Sequence, residues 1–300
     1  MGWYDDGDVG SVTGTNDGNG KRRARTANSR PWNIRGPAAM NSLFLQERLL
    51  LPFVDISLRY ILNDDAVCIL SNVRRNAFKT VISKMRIGIS RYKLANSVKL
   101  AIERNLANGS DAIYSFRQPL TRIFNIPPAA VEFEAINIFN NLKVPSVCYV
   151  ALIPTANLHG NYSTSPYDFR PYGLKNIKIS FGGQSFPDFS GIKVNYTNTN
   201  PDWLEGYTSL LQREFLANSG IYPTYEDYIY GKTVYCFLLN NVTSLSFTNY
   251  KPRTRSAEGR LTLVFEPANT NPNLSCLFFT LTDEQVRISS ERQVSKGFIS

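Results

Sequence analysis

The stretch "GRLTLVFEP", residues 259–267, alternates apolar and polar side chains over most of its length. Leu261, Leu263 and Phe265 fall on one face, and mostly polar side chains fall on the other. Because successive side chains of a β-strand point to opposite faces, this pattern predicts a strand with one buried and one wet face.

Similar stretches recur along the chain and are separated by segments rich in turn-forming residues. Two of them, residues 145–154 and 232–241, are apolar on both faces, as expected in the middle of a sandwich. We predict nine or ten strands in all; the clearest further candidates are residues 78–90, 131–139, 145–154, 232–241, 274–282 and 285–289.

Gly and Pro mark the boundaries of several strands. "FGGQSFP", residues 181–187, predicts a tight turn between two strand ends. "FNIPPAAVEF", residues 124–133, contains two prolines and predicts a strand boundary rather than a strand interior.

Two helices interrupt the strand pattern. The first covers residues 95–109 and stops at Gly109, and the second covers residues 201–220. Asp202 can cap the second helix, with Glu205 three positions later, in the manner of a capping box. One apolar stripe of this helix predicts a packing face; its members are Trp203, Tyr207, Leu211 and Phe215.

Short strands with helices only in their connections predict an all-β fold, an antiparallel jelly-roll β-sandwich. No internal repeat of 20–50 residues is present, which argues against a propeller or solenoid. We divide the chain into a flexible polar and basic arm, residues 1–40, and a single jelly-roll domain, residues 41–300.

The basic arm carries a cluster of cations, and the whole chain has a formal net charge of +9. An excess of basic over acidic side chains favours binding to acidic partners such as nucleic acid. The cluster predicts a phosphate-binding site or a nuclear import signal, and a solvated charge run is the alternative. Its members are Lys21, Arg22, Arg23 and Arg25.

The residues offer little support for catalysis or metal binding. The four cysteines form no CxxC pair, and each lies in an apolar run, so we predict four reduced core thiols. A Ser-His-Asp triad would need His159, the only histidine, with Asp168 as a candidate partner. Nothing in the sequence shows that Asp168 or any other residue would orient the imidazole of His159. We therefore predict no catalytic residue, no metal site and no cofactor, and also no membrane span.

Tyrosine-rich loops are the remaining candidates for binding. Residues 222–230 could stack on sugar rings or pack at a protein interface, since tyrosine is enriched in interface hot spots. The residues alone leave both open. The tyrosines in question are Tyr222, Tyr225, Tyr228 and Tyr230.

Five segments, in order, resemble the C-terminal jelly roll of the hexon-like, double-jelly-roll major capsid proteins of Polinton (Maverick)-type elements and adintoviruses. Each segment is moderately specific, and their common order carries the resemblance. The segments are residues 46–70, 92–109, 151–187, 225–240 and 259–294.

The resemblance implies a structural, self-assembling protein of a viral capsid, located in the virion and assembled in the host cell, with the nucleus as one candidate site. Its partners would be copies of itself, as trimers or hexamers, other capsid subunits, and nucleic acid bound by the basic arm. A carbohydrate- or receptor-binding jelly roll is the alternative. Members of the family carry another jelly roll before this half, whereas a polar arm precedes it here.

The resemblance also gives a role to the loop around His159. It implies that this loop joins two strands and that its side chains pack against the domain or a neighbouring subunit. The interface residues that we predict are Tyr162, Tyr167, Arg170, Tyr222, Tyr225 and Tyr228.

Overall fold

The computed structural model describes residues 17–34, 48–71, 78–139, 143–194, 203–211, 223–239, 258–266 and 273–297. Within these residues every strand lies between Ala112 and Gly297. The predicted single domain over residues 41–300 stays a prediction, since the described residues before 96 add no strand to it.

The described part of the chain forms two five-stranded antiparallel sheets. The strands are β1 (Ala112–Ile126), β2 (Glu132–Ile136), β3 (Val147–Pro154), β4 (Leu174–Phe181), β5 (Gln184–Phe186), β6 (Ile192–Lys193), β7 (Tyr235–Leu238), β8 (Gly259–Phe265), β9 (Leu274–Ile288) and β10 (Val294–Gly297).

The pairing of these strands makes the fold a jelly roll. One sheet has the order β1-β9-β3-β7, with β10 also paired to β9, and the other has the order β2-β8-β4-β5, with β6 also paired to β4. Early strands thus pair with late ones in nested order: β1 with β9, β2 with β8, β3 with β7 and β4 with β5. This rolled arrangement in two sheets confirms the predicted antiparallel jelly-roll sandwich.

The core lies between the two sheets, where alternate residues of each strand meet. Leu261, Leu263 and Phe265 of β8 are all but fully buried there, which confirms the alternation of residues 259–267. In β3, Cys148 and Val150 point into the same core.

Six α-helices of the described residues lie in the connections and before the first strand. They are α1 (Asp17–Thr26), α2 (Asp65–Cys68), α3 (Asn96–Ala107), α4 (Thr155–Leu158), α5 (Trp203–Leu211) and α6 (Tyr225–Ile229), and a 3₁₀ turn follows α1 at Ala27–Ser29. The helix predicted over residues 95–109 is confirmed as α3. The second predicted helix is α5 within the described residues, and its cap Asp202 and stripe member Phe215 lie outside them.

Helices α5 and α6 explain why β3 and β7 are apolar on both faces. Val147 of β3 and Cys236 of β7 point away from the main core and pack with Leu210 of α5 and Tyr228 of α6. The outer face of these two strands is therefore buried under helices, so both faces of each strand exclude water.

Two turn predictions are also confirmed. Gly182 and Gly183 join β4 to β5 with φ angles of 56° and 78°. Positive φ at both central residues fits the tight hairpin turn that residues 181–187 predict. The two prolines of residues 124–133 lie between β1 and β2.

One predicted strand is not part of either sheet. Residues 78–90 pair with no strand in the described structure, and their apolar side chains are exposed: Val81 at 74%, Met85 at 53% and Ile89 at 69%. A period-two pattern reports a face that is suited to burial, but it does not say which surface provides the cover.

Three further expectations need correction. The two strands predicted at residues 274–282 and 285–289 are one continuous strand, β9. The cysteine prediction holds for three thiols, but Cys68 is exposed. Strand β1 is not among the predicted strands, because Pro119 and several polar residues interrupt its alternation.

We predict that Gly259→Ala destabilises the sandwich. A Cβ at Gly259 would collide with the Phe139 ring and would lie 2.7 Å from Cγ1 of Ile138, both in the core. Overpacking of this kind costs about 1–3 kcal/mol in the free energy of unfolding.

Chemical denaturation measures this change. Gly88→Ala is the control, since nothing lies within 4 Å of a Cβ there. It should leave stability unchanged or slightly raised. Equal effects of the two substitutions would contradict the packing argument.

Candidate assembly surfaces

Residues 48–71 and 78–95, called the outer segment from here on, run outside both sheets. The outer segment holds most of the large apolar side chains that are exposed in the described residues. Phe53 is 89% exposed, Ile61 80% and Tyr92 67%. Many large apolar side chains exposed in one segment are typical of an interaction site on a folded protein.

The first end of the outer segment is tied to β1. Arg48 Nη1 donates to the carbonyl oxygen of Ile113 over 2.9 Å. The Tyr114 hydroxyl donates to the carbonyl oxygen of Leu49 (3.1 Å) and accepts from the backbone N–H of Leu51 (3.2 Å). Burial raises the pKa of Tyr114, although the bond to Leu51 and nearby arginines oppose the rise. The phenol therefore stays neutral and can serve as donor and acceptor.

The middle of the outer segment is clamped onto the loop around His159. Gly160 touches α2 so closely that a Cβ there would lie 2.6 Å from the carbonyl carbon of Ala66 and 2.7 Å from the backbone nitrogen of Val67. Beside this contact, the backbone N–H of Ser71 donates to the carbonyl oxygen of Tyr162 over 2.6 Å. The outer segment is thus held at two separate places along the sandwich.

The loop itself, residues 155–173, is called the tyrosine loop from here on. It is ordered by its own polar side chains: Thr164 Oγ1 donates to Oδ1 of the buried Asn157 (2.8 Å), and the backbone N–H and hydroxyl of Ser163 donate to Oδ1 of Asn161. Such side-chain bonds to nearby groups are typical of built turns. The loop is therefore a structured connection between β3 and β4.

The predicted interface residues of this loop have different surroundings. Tyr162 is half-buried, and Tyr167 is 61% exposed. Arg170 Nε donates to both carboxylate oxygens of Asp168 at 3.0 and 3.1 Å. Burial raises the pKa of Tyr172 to about 12, and the Asp168 carboxylate adds to the rise while Arg170 opposes it. Tyr167 is thus the predicted side chain that most freely faces outward.

The geometry does not form a catalytic triad. His159 is exposed at the end of α4, and no hydrogen bond to its imidazole occurs in the described structure. Asp168, the candidate orienting residue, gives both carboxylate oxygens to Arg170. A base in this position has no group to fix its tautomer or direction.

The second tyrosine group is mostly part of the fold. Tyr228 is fully buried and packs its ring at 60° to that of Tyr207, with centroids 5.4 Å apart. This position corrects the interface prediction for Tyr228, because its ring reaches no surface. Tyr225 is half-buried, also against Tyr207, and Tyr222 lies outside the described residues.

Helix α6 begins with a capping box formed by Thr224 and Asp227. Asp227 N donates to Oγ1 of Thr224, and Thr224 N donates to Asp227 Oδ2. Partial burial alone would raise the pKa of Asp227, but bonds from Lys232 and Thr224 together with the Lys232 charge lower it. The carboxylate is thus committed to helix capping and an ion pair.

The basic cluster lies on α1, where the sequence predicts a flexible arm. Lys21 and Arg25 are exposed and lie one helical turn apart, on one side of this helix. Arg22 and Arg23 belong to the same helix. The cluster is thus placed on a helix, and the side chains of Lys21 and Arg25 reach solvent.

Strand β1 forms an outer edge of its sheet over 15 residues in the described part of the chain. One of its backbone acceptors is occupied, because Arg48 Nη1 donates to the carbonyl oxygen of Ile113. Pro119 adds a residue without an N–H in the middle of the strand. Proline and cationic side chains are common devices that discourage pairing along an edge.

Within the described ranges, no group of three or more His, Cys, Asp or Glu side chains could hold a metal ion. In the same residues, no helix is both long and apolar enough to cross a bilayer.

Comparison with known proteins finds distant likenesses. An uncharacterised protein of Caenorhabditis elegans is 23% identical over 169 residues, which is 56% of this chain and 39% of the worm protein. This chain therefore spans well under half the length of that relative. No family profile matches the chain.

Some of the solved structures that match part of this chain come from viruses. A chain of the Sputnik virophage is 15% identical, with a TM-score of 0.39, and the match covers 63% of this chain and 40% of the virophage chain. The major capsid protein of mavirus is 11% identical, with a TM-score of 0.31, and the match covers 62% of this chain and 41% of the mavirus chain. A chain of the PBCV-1 virus capsid is 10% identical, with a TM-score of 0.34, and the match covers 65% of this chain and 54% of the PBCV-1 chain. At these identities and TM-scores the likenesses assign no function.

We predict that Gly160→Ala loosens the outer segment. The new methyl group would collide with Ala66 and Val67, so the contact between α2 and the tyrosine loop must open. Limited proteolysis should then cut residues 64–71 several-fold faster than in the unmodified protein.

Gly173→Ala is the matched control. Gly173 has a φ of +72°, close to the +85° of Gly160, but nothing lies within 4 Å of a Cβ there. Both variants carry the same backbone strain, so only a difference between them reports the lost contact with α2. Equal cleavage rates would show that the outer segment is not held at Gly160.

Proposed function

We propose that the chain is a structural, self-assembling subunit of a viral capsid, of the hexon-like type, that builds a shell through contacts between copies. The observation that carries this proposal is the outer segment, a long apolar stretch that is ordered against the sandwich yet exposed along its length. A jelly roll suits the role because both of its sheets are closed around one core, which leaves loops and extensions free for contacts.

Burial is the driving force for this assembly. Removing apolar surface from water is worth about 25 cal/mol per Å², and the outer segment offers many such side chains at once. Part of the gain is lost to the ordering of the partners. Because the outer segment is anchored at Tyr114 and at Gly160, part of that ordering is already complete in the subunit.

A structural role agrees better with the described residues than an enzymatic one. His159 lacks an orienting partner, Asp168 is paired with Arg170, and Asp227 is used as a helix cap. The exposed Tyr167 would add an aromatic contact to a neighbouring subunit in the shell.

The same proposal gives α1 a partner. We assign nucleic acid, enclosed by the shell, as the ligand of the basic cluster at Lys21 and Arg25. Two cations one turn apart on a helix can contact neighbouring phosphates without reading base sequence. The virion is then the location of the protein.

Assembly can be tested with the purified protein by light scattering and negative-stain microscopy over a concentration series. Oligomers or particles that grow with concentration are expected. Ile87→Lys places a charge on the exposed apolar face of the outer segment, where Ile87 is 48% exposed, and should shift assembly to at least tenfold higher concentration.

Ser90→Lys is the control for this test, since it adds the same charge to an exposed polar position of the outer segment. It should assemble like the unmodified protein. A protein that stays monomeric at every concentration, alone or with other capsid subunits, would refute the shell role.

The nucleic-acid assignment has its own test. Binding to a random-sequence DNA duplex and to single-stranded RNA is measured over a range of salt concentrations. For Lys21→Ala/Arg25→Ala, the slope of log K against log salt should fall by about 1–2, since each phosphate contact contributes about 0.7–0.9.

The control removes equal charge elsewhere. Lys99→Ala/Arg104→Ala takes two exposed cations from α3 and should leave the slope unchanged. If both double variants lower the slope equally, binding is a property of net charge and the assignment to α1 fails.

A further inference from the structure

The outer segment contains a short stretch that is complementary to itself. Residues 54–60 read "VDISLRY". When two copies of this stretch are aligned antiparallel about Ser57, Asp55 of each copy lies opposite Arg59 of the other. Ile56 then lies opposite Leu58, and Val54 opposite Tyr60.

The two faces of such a pair differ in character. Side chains alternate along a strand, so one face is wholly apolar and the other is polar. The polar face carries Asp55, Ser57 and Arg59. Cross-strand pairs of opposite charge and of branched or aromatic side chains both stabilise antiparallel sheets. The apolar face consists of Val54, Ile56, Leu58 and Tyr60.

The structure leaves this stretch available. Residues 54–64 run without a turn or helix, and Ile56, Leu58 and Tyr60 are 50%, 36% and 52% exposed. Among the described residues, neither the backbone nor the side chains of residues 54–60 have a hydrogen-bond or ion-pair partner. Asp55 and Arg59 are both exposed charges.

We propose that two copies of the chain pair through residues 54–60 as antiparallel strands about a two-fold axis at Ser57. The occupant of this apolar segment is thus the same segment of a second copy. A two-fold contact is isologous, so a self-complementary segment satisfies it completely.

Charge selects one register. A shift of the partner by two residues in either direction keeps the apolar face but sets Asp55 opposite Ile61 or opposite Ser57 rather than Arg59. A shift by one residue sets the apolar face of one copy against the polar face of the other. Only the register centred on Ser57 forms both ion pairs.

A second strand from each copy is at hand. Two strands alone are marginal in water, so the pair needs further cover. The backbone N–H of Thr80 donates to Asp65 Oδ1 over 2.8 Å, which holds the start of residues 80–90 at Asp65, five residues after the first stretch. The exposed apolar face of these residues, with Val81 and Met85, can pack over the apolar face of the paired strands and cover it.

This contact goes beyond the proposed shell, since a dimer would form by it whether or not larger particles follow. Its specific determinant is the charge pair of Asp55 and Arg59, which the Ile87→Lys variant leaves in place. Failure of shell assembly with an intact dimer would therefore leave the pairing standing.

The test uses charge exchange in the full chain, with the dimer dissociation constant measured by analytical ultracentrifugation. Asp55→Arg and Arg59→Asp each replace two attractive pairs by two repulsive ones, so each should raise the dissociation constant about tenfold or more. The double variant Asp55→Arg/Arg59→Asp restores both pairs and should dimerise like the unmodified protein.

An equimolar mixture of the two single variants is the decisive experiment. In the mixed dimer, the two cations of the Asp55→Arg copy would face the two carboxylates of the Arg59→Asp copy, so a heterodimer should form although each single variant is monomeric. Circular dichroism should stay unchanged in all variants, since neither native charge has a partner in the described part of the subunit. No recovery in the mixture and the double variant would overturn the proposal.

Cross-linking checks the axis independently. In a Cys68→Ser background, which removes the exposed native thiol, Ser57→Cys places two thiols across the axis within disulfide range. Oxidation should yield a covalent dimer quickly. Ser83→Cys, on the other extended stretch of the outer segment, should cross-link much more slowly, and equal rates would contradict the predicted axis.

Discussion

The fold depends on strand β9. It pairs with β1 over its whole length, with β3 over the first half and with β10 near its end, so three partners rely on one register. Cys276 and Phe278 fix that register, because both are fully buried in the core, and a shift by one residue would turn them outward. Burial raises the pKa of Cys276 to about 12, so the thiol stays neutral and acts as a small apolar side chain.

The sandwich could be predicted because its patterns are local. Residues 259–267 alternate with period two, and β8 buries Leu261 and Leu263 completely. The double-faced apolar pattern of β3 and β7 likewise matches their position between the core and the helices α5 and α6. In each case a single strand carries enough information to state which of its faces is covered.

The candidate site was less accessible to sequence reasoning. Tyr228 and Tyr167 look alike in the sequence, yet the first is fully buried and the second is 61% exposed. Tyr228 is covered by α5, which comes so close at Gly206 that a Cβ there would approach the Tyr228 hydroxyl to 3.0 Å. Contacts between distant segments of this kind have no local signature. The same holds for the clamp between Gly160 and α2.

The exposed stretch at residues 78–90 shows where pattern and fold separate. Its alternation is as regular as that of β8, but it joins neither sheet of the described structure. Alternating apolar and polar side chains indicate a strand whose apolar face is buried. The surface that buries this face can belong to another molecule as well as to the same chain. Within the described residues neither extended stretch of the outer segment has its apolar face covered, and the proposed assembly would supply that cover.

The protein protects one edge and leaves another segment open. Strand β1 has Pro119 in its middle, and Arg48 engages the carbonyl oxygen of Ile113, so its edge is poorly suited to accept a strand. Residues 54–60 have no such protection: they contain no proline, a single balancing pair of charges and an apolar face. If indiscriminate strand pairing were tolerated, the longer edge of β1 would be the stronger site. Its protection, together with the self-complementary charges at Asp55 and Arg59, agrees with the proposed pairing through the outer segment in one register.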